Sequence, residues 1–139
     1  HPTAGACIVG ARRFLVALNV NLRSQDLAIA QQIAKTIRAS SGGMPYVKAL
    51  GLELRSRGQV QVSMNLTGID KTPVHVVVAE VHRLARSLGV EPAGTEIIGL
   101  LPRSVIEDAA AYHLGFENFR TELVLENRID AVLGHLHGG

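Results

Sequence analysis

The side chains of this sequence that are best suited to metal chemistry are its histidines and its single cysteine. His75 and His82 lie seven residues apart in one predicted helix, and His135 and His137 lie two apart near the end of the sequence. No cluster of carboxylates or cysteines joins either pair at the spacing of metal ligands, so we expect solvated histidines and no metal site. Cys7 has no partner for an internal disulfide, and a free cysteine is most often a small buried hydrophobe. The single cysteine therefore favours a reducing, cytoplasmic setting.

Other catalytic and cofactor motifs are weak in this sequence. Gly5 and Gly10 precede a predicted strand and not a helix, so they do not form a dinucleotide-binding motif. Glu107 and Asp108 lie in a predicted helix, where the electrostatics of the helix end explains them better than acid–base catalysis does. The residue types and spacings alone therefore identify no catalytic group.

The composition limits the kinds of partner. Of the 139 residues, 47% are hydrophobic but only 4% aromatic, and the formal charge of +2 is scattered along the chain. This balance suits a small anionic ligand, whereas a sheet that binds RNA needs aromatic side chains on its central strands. No apolar run approaches the roughly 20 residues that a membrane span needs. We therefore expect one globular domain without a nucleic-acid or membrane partner.

Hydrophobic periodicity predicts the elements that would position a binding site. Alternation with a period of two predicts strands at Phe14–Leu22, Val47–Leu54, Gln59–Leu66 and Thr95–Leu101. Apolar residues at helical spacing predict helices after Ser24, after Thr72, at Ser104–Gly115 and from Thr121 to about His137. The order β-α-β-β-α-β followed by two helices is typical of an α+β, ferredoxin-like sandwich with helices on one sheet face and a carboxy-terminal helical extension.

Cap residues predict where these helices begin. Ser24 is placed to cap the first helix, and Thr72 to cap the second with Pro73 at its first position. Ser104 and Glu107 have the spacing of a capping box for the third helix.

The face of the predicted sheet that points away from the helices carries an unusual number of neutral polar residues. Asn19 and Asn21 alternate with apolar residues on the first strand, and Gln61, Ser63 and Asn65 do so on a neighbouring strand. Asparagine is depleted in strands, and amides fix the orientation of a ligand by hydrogen bonding. The pattern indicates a ligand or partner surface, and a simply solvated sheet face is the alternative.

Five segments resemble, in the same order along the chain, the motifs of one known enzyme family. HPTAGACIVGARRFLVALNVNL (His1–Leu22) is similar to the segment in which a loop containing Pro and Gly precedes a GAR-(K/R)-FLIA-(F/Y)-N-(I/V)-NL strand. VQVSMNLTGIDKTPVH (Val60–His75) resembles a QVS-x-NL segment of the family, and GTEIIGLLP (Gly94–Pro102) resembles its GSE-(I/L)-(V/I)-GL-(V/L)-P segment. Glu117–Phe119 and Leu125–Arg128 are similar to its tail. The family that these segments resemble is the glutamate formimidoyltransferases.

The resemblance implies a fold and a function. The family transfers a formimidoyl group from N-formimidoyl-L-glutamate to tetrahydrofolate, its co-substrate, in the histidine-degradation branch of one-carbon metabolism. Its catalytic domain has two α/β subdomains whose sheets enclose a polar folate tunnel, and the amino-terminal subdomain supplies the acid–base histidine. Residues 1–139 correspond to the carboxy-terminal subdomain, and no histidine among them matches the catalytic one. We therefore expect an amino-terminal subdomain as partner, and no activity from this chain alone.

The resemblance also suggests binding residues. Pro2, Thr3, Ala4 and Gly5 correspond to the end of a folate-binding segment, and the polar sheet face becomes the tunnel wall, formed by Asn19, Asn21, Ser63 and Asn65. Arg12 is suited to anchor a glutamyl carboxylate, since arginine binds carboxylates in a bidentate manner; a surface salt bridge is the alternative. A non-catalytic folate- or partner-binding domain of the same fold remains the second hypothesis, and we expect an uncovered sheet face to favour a homo-oligomer.

Overall fold

A computed structural model of the chain describes residues 2–3, 5–6, 9–11, 14–115 and 119–136. Within them the strands are β1 (Val16–Leu22), β2 (Val47–Leu54), β3 (Gln59–Leu66) and β4 (Pro92–Ile98). The α-helices are α1 (Leu27–Ile37), α2 (Val74–Ser87), α3 (Arg103–Leu114) and α4 (Leu125–Leu136). The chain order β1-α1-β2-β3-α2-β4 with two further helices confirms the predicted α+β, ferredoxin-like arrangement. No helix in the described part of the chain is both long and apolar enough to cross a membrane.

The four strands form one antiparallel sheet in the order β2-β3-β1-β4. The strands β1 and β3 are therefore central, and each α-helix of the two β-α-β units crosses over one intervening strand. Leu18 lies opposite Met64, and Val20 lies opposite Val62, so the apolar residues of the central pair share one face.

The core lies between that apolar face and the helices α1 and α2. The largest fully buried side chains are all aliphatic or Met, and they include Leu18, Leu22, Ile33, Ile37, Met64 and Leu66. Burying one such side chain contributes about 1.5–3 kcal/mol, so this face alone fixes the register of the sheet. At Gly51 of β2 the backbone of α1 lies so close that an added Cβ would be 2.7 Å from the Cα of Gln31.

The predicted helix caps are wrong at three points, and α4 begins at Leu125 and not at Thr121, because a short 3-10 turn (Thr121–Leu123) precedes it. Asp26, not Ser24, caps α1 by accepting the Ala28 N–H at 2.9 Å, while Ser24 Oγ accepts the Asp26 N–H at 3.1 Å. The prediction for Thr72 is also wrong, because its buried hydroxyl donates to the Pro45 carbonyl at 2.7 Å and leaves α2 without a side-chain cap.

The predicted capping box is the third difference. The helix α3 begins at Arg103 after Pro102, so Ser104 lies inside the helix and makes no cap hydrogen bond. Glu107 is instead buried and accepts a hydrogen bond from Asn127 Nδ2 at 2.9 Å. Glu107 therefore holds α4 against α3 and does not cap its own helix.

The first and last strands are shifted relative to the predictions. The strand β1 begins at Val16 and not at Phe14, because its pairing with β3 ends at the Val16–Leu66 pair. The strand β4 runs over Pro92–Ile98 and not Thr95–Leu101. Proline is tolerated at the first residue of an edge strand, and Gly99, with a φ of 82°, turns the chain away from the sheet. The bounds predicted for β2 and β3 are confirmed.

Candidate ligand-binding face

The polar side chains of β1 and β3 lie on the sheet face opposite the buried valines and leucines. Asn19 lies between Ser63 of β3 and Glu96 of β4, and Asn65 lies opposite Ala17 and Lys48. This register confirms the prediction that Asn19, Asn21, Ser63 and Asn65 share one face; their role as a tunnel wall stays a prediction. We call this surface the polar face.

Asn21 lies at the bottom of one end of the polar face. Its side chain is only 5% exposed, and its Oδ1 has no hydrogen-bond partner among the described residues. The register between β1 and β4 shifts between Asn21 and Leu22, and the residue of β4 opposite Asn21 is Gly94. Such a bulge frequently lies beside a functional site, where it redirects a side chain. Gly94 itself contributes no side chain to the polar face at that position.

The space above Asn21 is a cavity of about 500 Å³, within the range of ligand-binding pockets. We call it the Asn21 pocket. Its lining includes two arginines, Arg23 just after β1 and Arg57 in the turn between β2 and β3, and the carboxylate of Glu96. The remaining lining residues are Gln59, Ala93, Gly94 and Thr95.

A second cavity of about 540 Å³ lies at the β2 side of the polar face. Ser63 and Asn65 contribute to it together with Lys48, Leu50 and the Arg38–Ser40 turn. Leu50 and its neighbour Leu52 lie opposite Ser63 and Gln61, on the same face, and are 60% and 41% exposed. The polar face therefore carries apolar side chains along its β2 edge, as expected of a surface that another element covers.

The structure does not place the described residues predicted ahead of β1 in the lining of this site. Pro2, Thr3 and Gly5 are exposed and are not among the residues that line either cavity of the polar face. Ala4, Cys7 and Arg12 lie outside the described residues. A folate contact for this segment and a carboxylate contact for Arg12 stay predictions.

A third cavity, of about 440 Å³, lies where the amino-terminal ends of α2 and α3 approach each other. Phe14, His75 and Ser104 line it, together with the carboxylates of Asp70 and Asp108. His75 packs its ring against Tyr112 of α3, with 4.8 Å between ring centroids. The described residues contain no group of three or more His, Cys, Asp or Glu side chains placed to hold a metal ion.

His82 differs from the solvated histidine that the sequence predicts. It is half-buried on α2, and its Nε2 is buried without a hydrogen-bond partner in the described part of the chain. Burial lowers the pKa of His82 below its usual 6.5, and the positive charges of Arg86 and His113 lower it further. The neutral imidazole is thus the form that the fold favours. His137 lies outside the described residues.

The sequence profile of the formiminotransferase domain matches residues 17–137 of this chain. The chain belongs to the formiminotransferase domain family. The match contains all four helices, nearly all of β1 and the whole polar face, whereas Pro2–Gly5 and Arg12 precede it. The family resemblance predicted from the sequence segments is therefore confirmed.

Full-length relatives in this family are much longer than the chain. It is 42% identical to the glutamate formimidoyltransferase of Thermoplasma acidophilum over 91% of this chain and 42% of that protein. It is 44% identical to the glutamate formimidoyltransferase of Streptococcus pyogenes over 93% of this chain and 44% of that protein. It is also 36% identical to the formimidoyltransferase-cyclodeaminase of Sus scrofa, over 97% of this chain and 26% of that protein. The chain thus spans less than half the length of each of these relatives.

Sequence patterns indicated the polar face of this formiminotransferase-family chain but not the Asn21 pocket. Arg57 belongs to Ser56-Arg57-Gly58, which has the composition of a hairpin turn, and Arg23 follows a predicted strand end. The signal that was available is that each arginine lies beside the end of a strand. The polar-face residue nearest to Arg23 is Asn21, the one nearest to Arg57 is Gln59, and both point to the same side of the sheet. Using that signal requires the strand order, which places β1 beside β3.

Proposed function

We propose that this chain is the carboxy-terminal subdomain of a glutamate formimidoyltransferase and that its polar face forms one wall of the folate tunnel. The observation that supports this most strongly is the polar face itself. Helices α1 and α2 cover only the opposite side of the sheet, and the polar face combines amides with exposed Leu50 and Leu52. A sheet with that mixture is suited to face a second sheet across a polar ligand.

The proposed reaction transfers a formimidoyl group from N-formimidoyl-L-glutamate to tetrahydrofolate. An amine nitrogen of tetrahydrofolate attacks the formimidoyl carbon, the bond from that carbon to the glutamate nitrogen breaks, and a proton moves to the leaving amine. General acid–base catalysis of this transfer needs a group with a pKa near neutrality. We assign that group to the amino-terminal subdomain, and no residue of this chain is proposed as catalytic.

The proposed contribution of this chain is orientation. Asn19, Asn21, Ser63 and Asn65 offer donors and acceptors without net charge, so they can hold the pterin ring and the donor without competing with the groups that move protons. The proposal includes tetrahydrofolate as co-substrate and assigns no part to a metal. It also includes a place in histidine degradation, which rests on the family resemblance, and a cytoplasmic location, which rests on the single cysteine.

An assay of formimidoyl transfer tests the proposal. The complete protein with both subdomains should consume N-formimidoyl-L-glutamate only when tetrahydrofolate is present. The 139-residue chain should be inactive alone and should gain activity when the amino-terminal subdomain is added in trans. If the chain alone turns over substrate at a rate within about tenfold of the complete protein, the assignment of the catalytic group to the amino-terminal subdomain is wrong. Absence of transfer by the complete protein would refute the function.

The second candidate is a folate- or partner-binding domain without catalysis. It is favoured by one observation, namely that none of the described histidines lies on the polar face or in its two cavities. Under this alternative, the complete protein binds tetrahydrofolate in calorimetry but does not transfer the formimidoyl group. A double substitution, Asn19→Leu with Asn65→Leu, should abolish the binding under either candidate, so the transfer assay separates them.

A further inference from the structure

The Asn21 pocket has a charge pattern that the tunnel-wall proposal does not use. Arg23 and Arg57 both line it, and neither forms an ion pair with any described residue. Arg55, in the same turn as Arg57, instead pairs with Glu53 at 2.8 Å and lines a different cavity. We infer that Asn21, Arg23 and Arg57 bind the glutamyl end of an N-substituted glutamate, an inference that rests on the proposed function.

The two arginines are suited to bind the two carboxylates of the glutamyl group. A glutamyl group with a substituted nitrogen carries two carboxylates, separated by a short aliphatic chain. Arginine binds a carboxylate through two parallel N–H donors, and an arginine without an internal partner is available to do so. Arg23 lies after β1 and Arg57 lies before β3, so the two guanidinium groups approach the pocket from adjacent strands.

Asn21 is suited to bind the substituted nitrogen of the glutamyl group. Its Oδ1 is buried and has no donor within the described residues, and such an unpaired acceptor is destabilising unless a ligand or water satisfies it. An N-substituted glutamate has an N–H next to the carbon that bears its α-carboxylate. That N–H is the kind of donor that Asn21 Oδ1 lacks, and Asn21 is among the residues that line the pocket.

Glu96 limits the charge of the ligand. Two arginines and one glutamate give the lining a net charge of +1, which favours a small carboxylate over a polyphosphate or a nucleic-acid strand. Glu96 lies opposite Asn19, two residue pairs along the sheet from the Asn21–Gly94 pair, so it flanks the pocket on the side away from the arginines. The pocket therefore distinguishes an anionic end and a nitrogen end of its ligand.

Two substrates of the proposed reaction contain this glutamyl group. One is N-formimidoyl-L-glutamate, and the other is tetrahydrofolate, whose glutamate is joined to an aminobenzoyl group. N-formimidoyl-L-glutamate and p-aminobenzoyl-L-glutamate are therefore the two probes. Each is added to the ¹⁵N-labelled 139-residue chain, and shifts of the Asn21 side-chain amide resonance are followed together with calorimetry.

We expect at least one probe to shift the Asn21 amide resonance. Arg23→Gln and Arg57→Gln should each weaken that binding about tenfold or more, as loss of a charge-assisted pair does. Arg55→Gln is the matched control, because it removes the same charge from the same turn outside the pocket, and it should change binding less than twofold. A response to one probe alone identifies the source of the glutamyl group, and a response to both shows that the pocket recognises the shared part.

Three results would overturn the inference. They are an Asn21 resonance that neither probe shifts at millimolar concentration, binding that survives both pocket substitutions, and an Arg55→Gln effect equal to that of Arg57→Gln. The readout is independent of catalysis. If the complete protein transfers the formimidoyl group but this pocket does not bind the glutamyl probes, only this inference is wrong. If binding depends on Arg23 and Arg57 but the complete protein has no transfer activity, only the proposed reaction is wrong.

Discussion

Asn127 of α4 donates from its Nδ2 to the Oε1 of Glu107 of α3 at 2.9 Å, and this hydrogen bond links the last helix to the rest of the domain. Glu107 is only 9% exposed. The same Asn127 accepts from Arg103 Nη1 at 2.7 Å and donates to the Thr121 carbonyl at 3.0 Å. One amide thus connects the start of α3, its second turn and the turn before α4.

Replacing Asn127 should therefore destabilise the domain more than a surface substitution does. Asn127→Ala leaves a buried carboxylate without its donor, and we expect a loss of about 1–3 kcal/mol in the free energy of unfolding. Urea denaturation measures it. Glu126→Ala, at the exposed neighbouring position, is the control and should change stability by less than about 0.5 kcal/mol. Equal stability of the two variants would show that the hydrogen bond does not hold α4.

Local patterns predicted the order of elements but not which side chains satisfy the helix ends. The alternation in β3 and the helical period of α1 depend only on neighbouring residues, so both were predicted from the sequence. Thr72 and Glu107 have the residue types of caps, but their partners lie 27 and 20 residues away along the chain. A tertiary partner outcompeted the local cap at both positions, and nothing within the local segment indicates that partner.

The candidate site also has a part that could be predicted from the sequence and a part that could not. The shared face of Asn19, Asn21 and Ser63 follows from a period of two and needs no knowledge of the fold. The convergence of Arg23 and Arg57 on Asn21 depends on the strand order and on the bulge opposite Asn21. Neither is encoded in a short segment, so the sequence indicated a polar surface and missed the Asn21 pocket at one end of it.

A second prediction concerns Thr72. Its hydroxyl donates to the Pro45 carbonyl at 2.7 Å, and its side chain is buried. Thr72→Val keeps the shape but removes the donor, so we expect a loss of about 1 kcal/mol and a lower melting temperature. Thr72→Ser keeps the hydroxyl and should retain the hydrogen-bond contribution. A valine variant at least as stable as the serine variant would contradict this assignment.

A third prediction uses the contact between β2 and α1. An added Cβ at Gly51 would be 2.5 Å from the Ala30 carbonyl carbon and closer still to the Gln31 nitrogen. The obstacle is helix backbone, which cannot rotate away as a side chain can. We expect Gly51→Ala to cost about 1–3 kcal/mol, as overpacking does. Gly134→Ala is the control, because an added Cβ there meets nothing within 4 Å and alanine favours a helix. The two substitutions should shift the urea midpoint in opposite directions.

A fourth prediction concerns pH. The folded-state pKa of His82 lies below its usual 6.5, chiefly because of burial, so the unfolded chain binds the proton more readily. His82 therefore costs no stability above pH 6.5 and lowers stability as the pH falls from 6.5 toward the folded-state pKa. Unfolding free energies at pH 7.5 and 5.5 should differ less in His82→Leu than in the unaltered chain. His75→Gln, on the same helix, is the control. An unchanged pH difference in His82→Leu would exclude this cause.

The last prediction concerns what covers the polar face. Leu50 and Leu52 expose apolar surface beside Ser63 and Gln61, and a sheet left in that state tends to acquire a covering layer. We predict that the amino-terminal subdomain binds this face and that, without it, two copies of the chain pair weakly through the same surface. Sedimentation over a wide concentration range measures both.

Leu50→Lys with Leu52→Lys should weaken each association about tenfold or more, because two charges would be buried. Leu123→Lys alters an equally exposed leucine in the turn before α4 and should change neither. If the chain stays monomeric at the highest concentration and does not bind the amino-terminal subdomain, then the polar face is solvated and the tunnel-wall proposal is wrong.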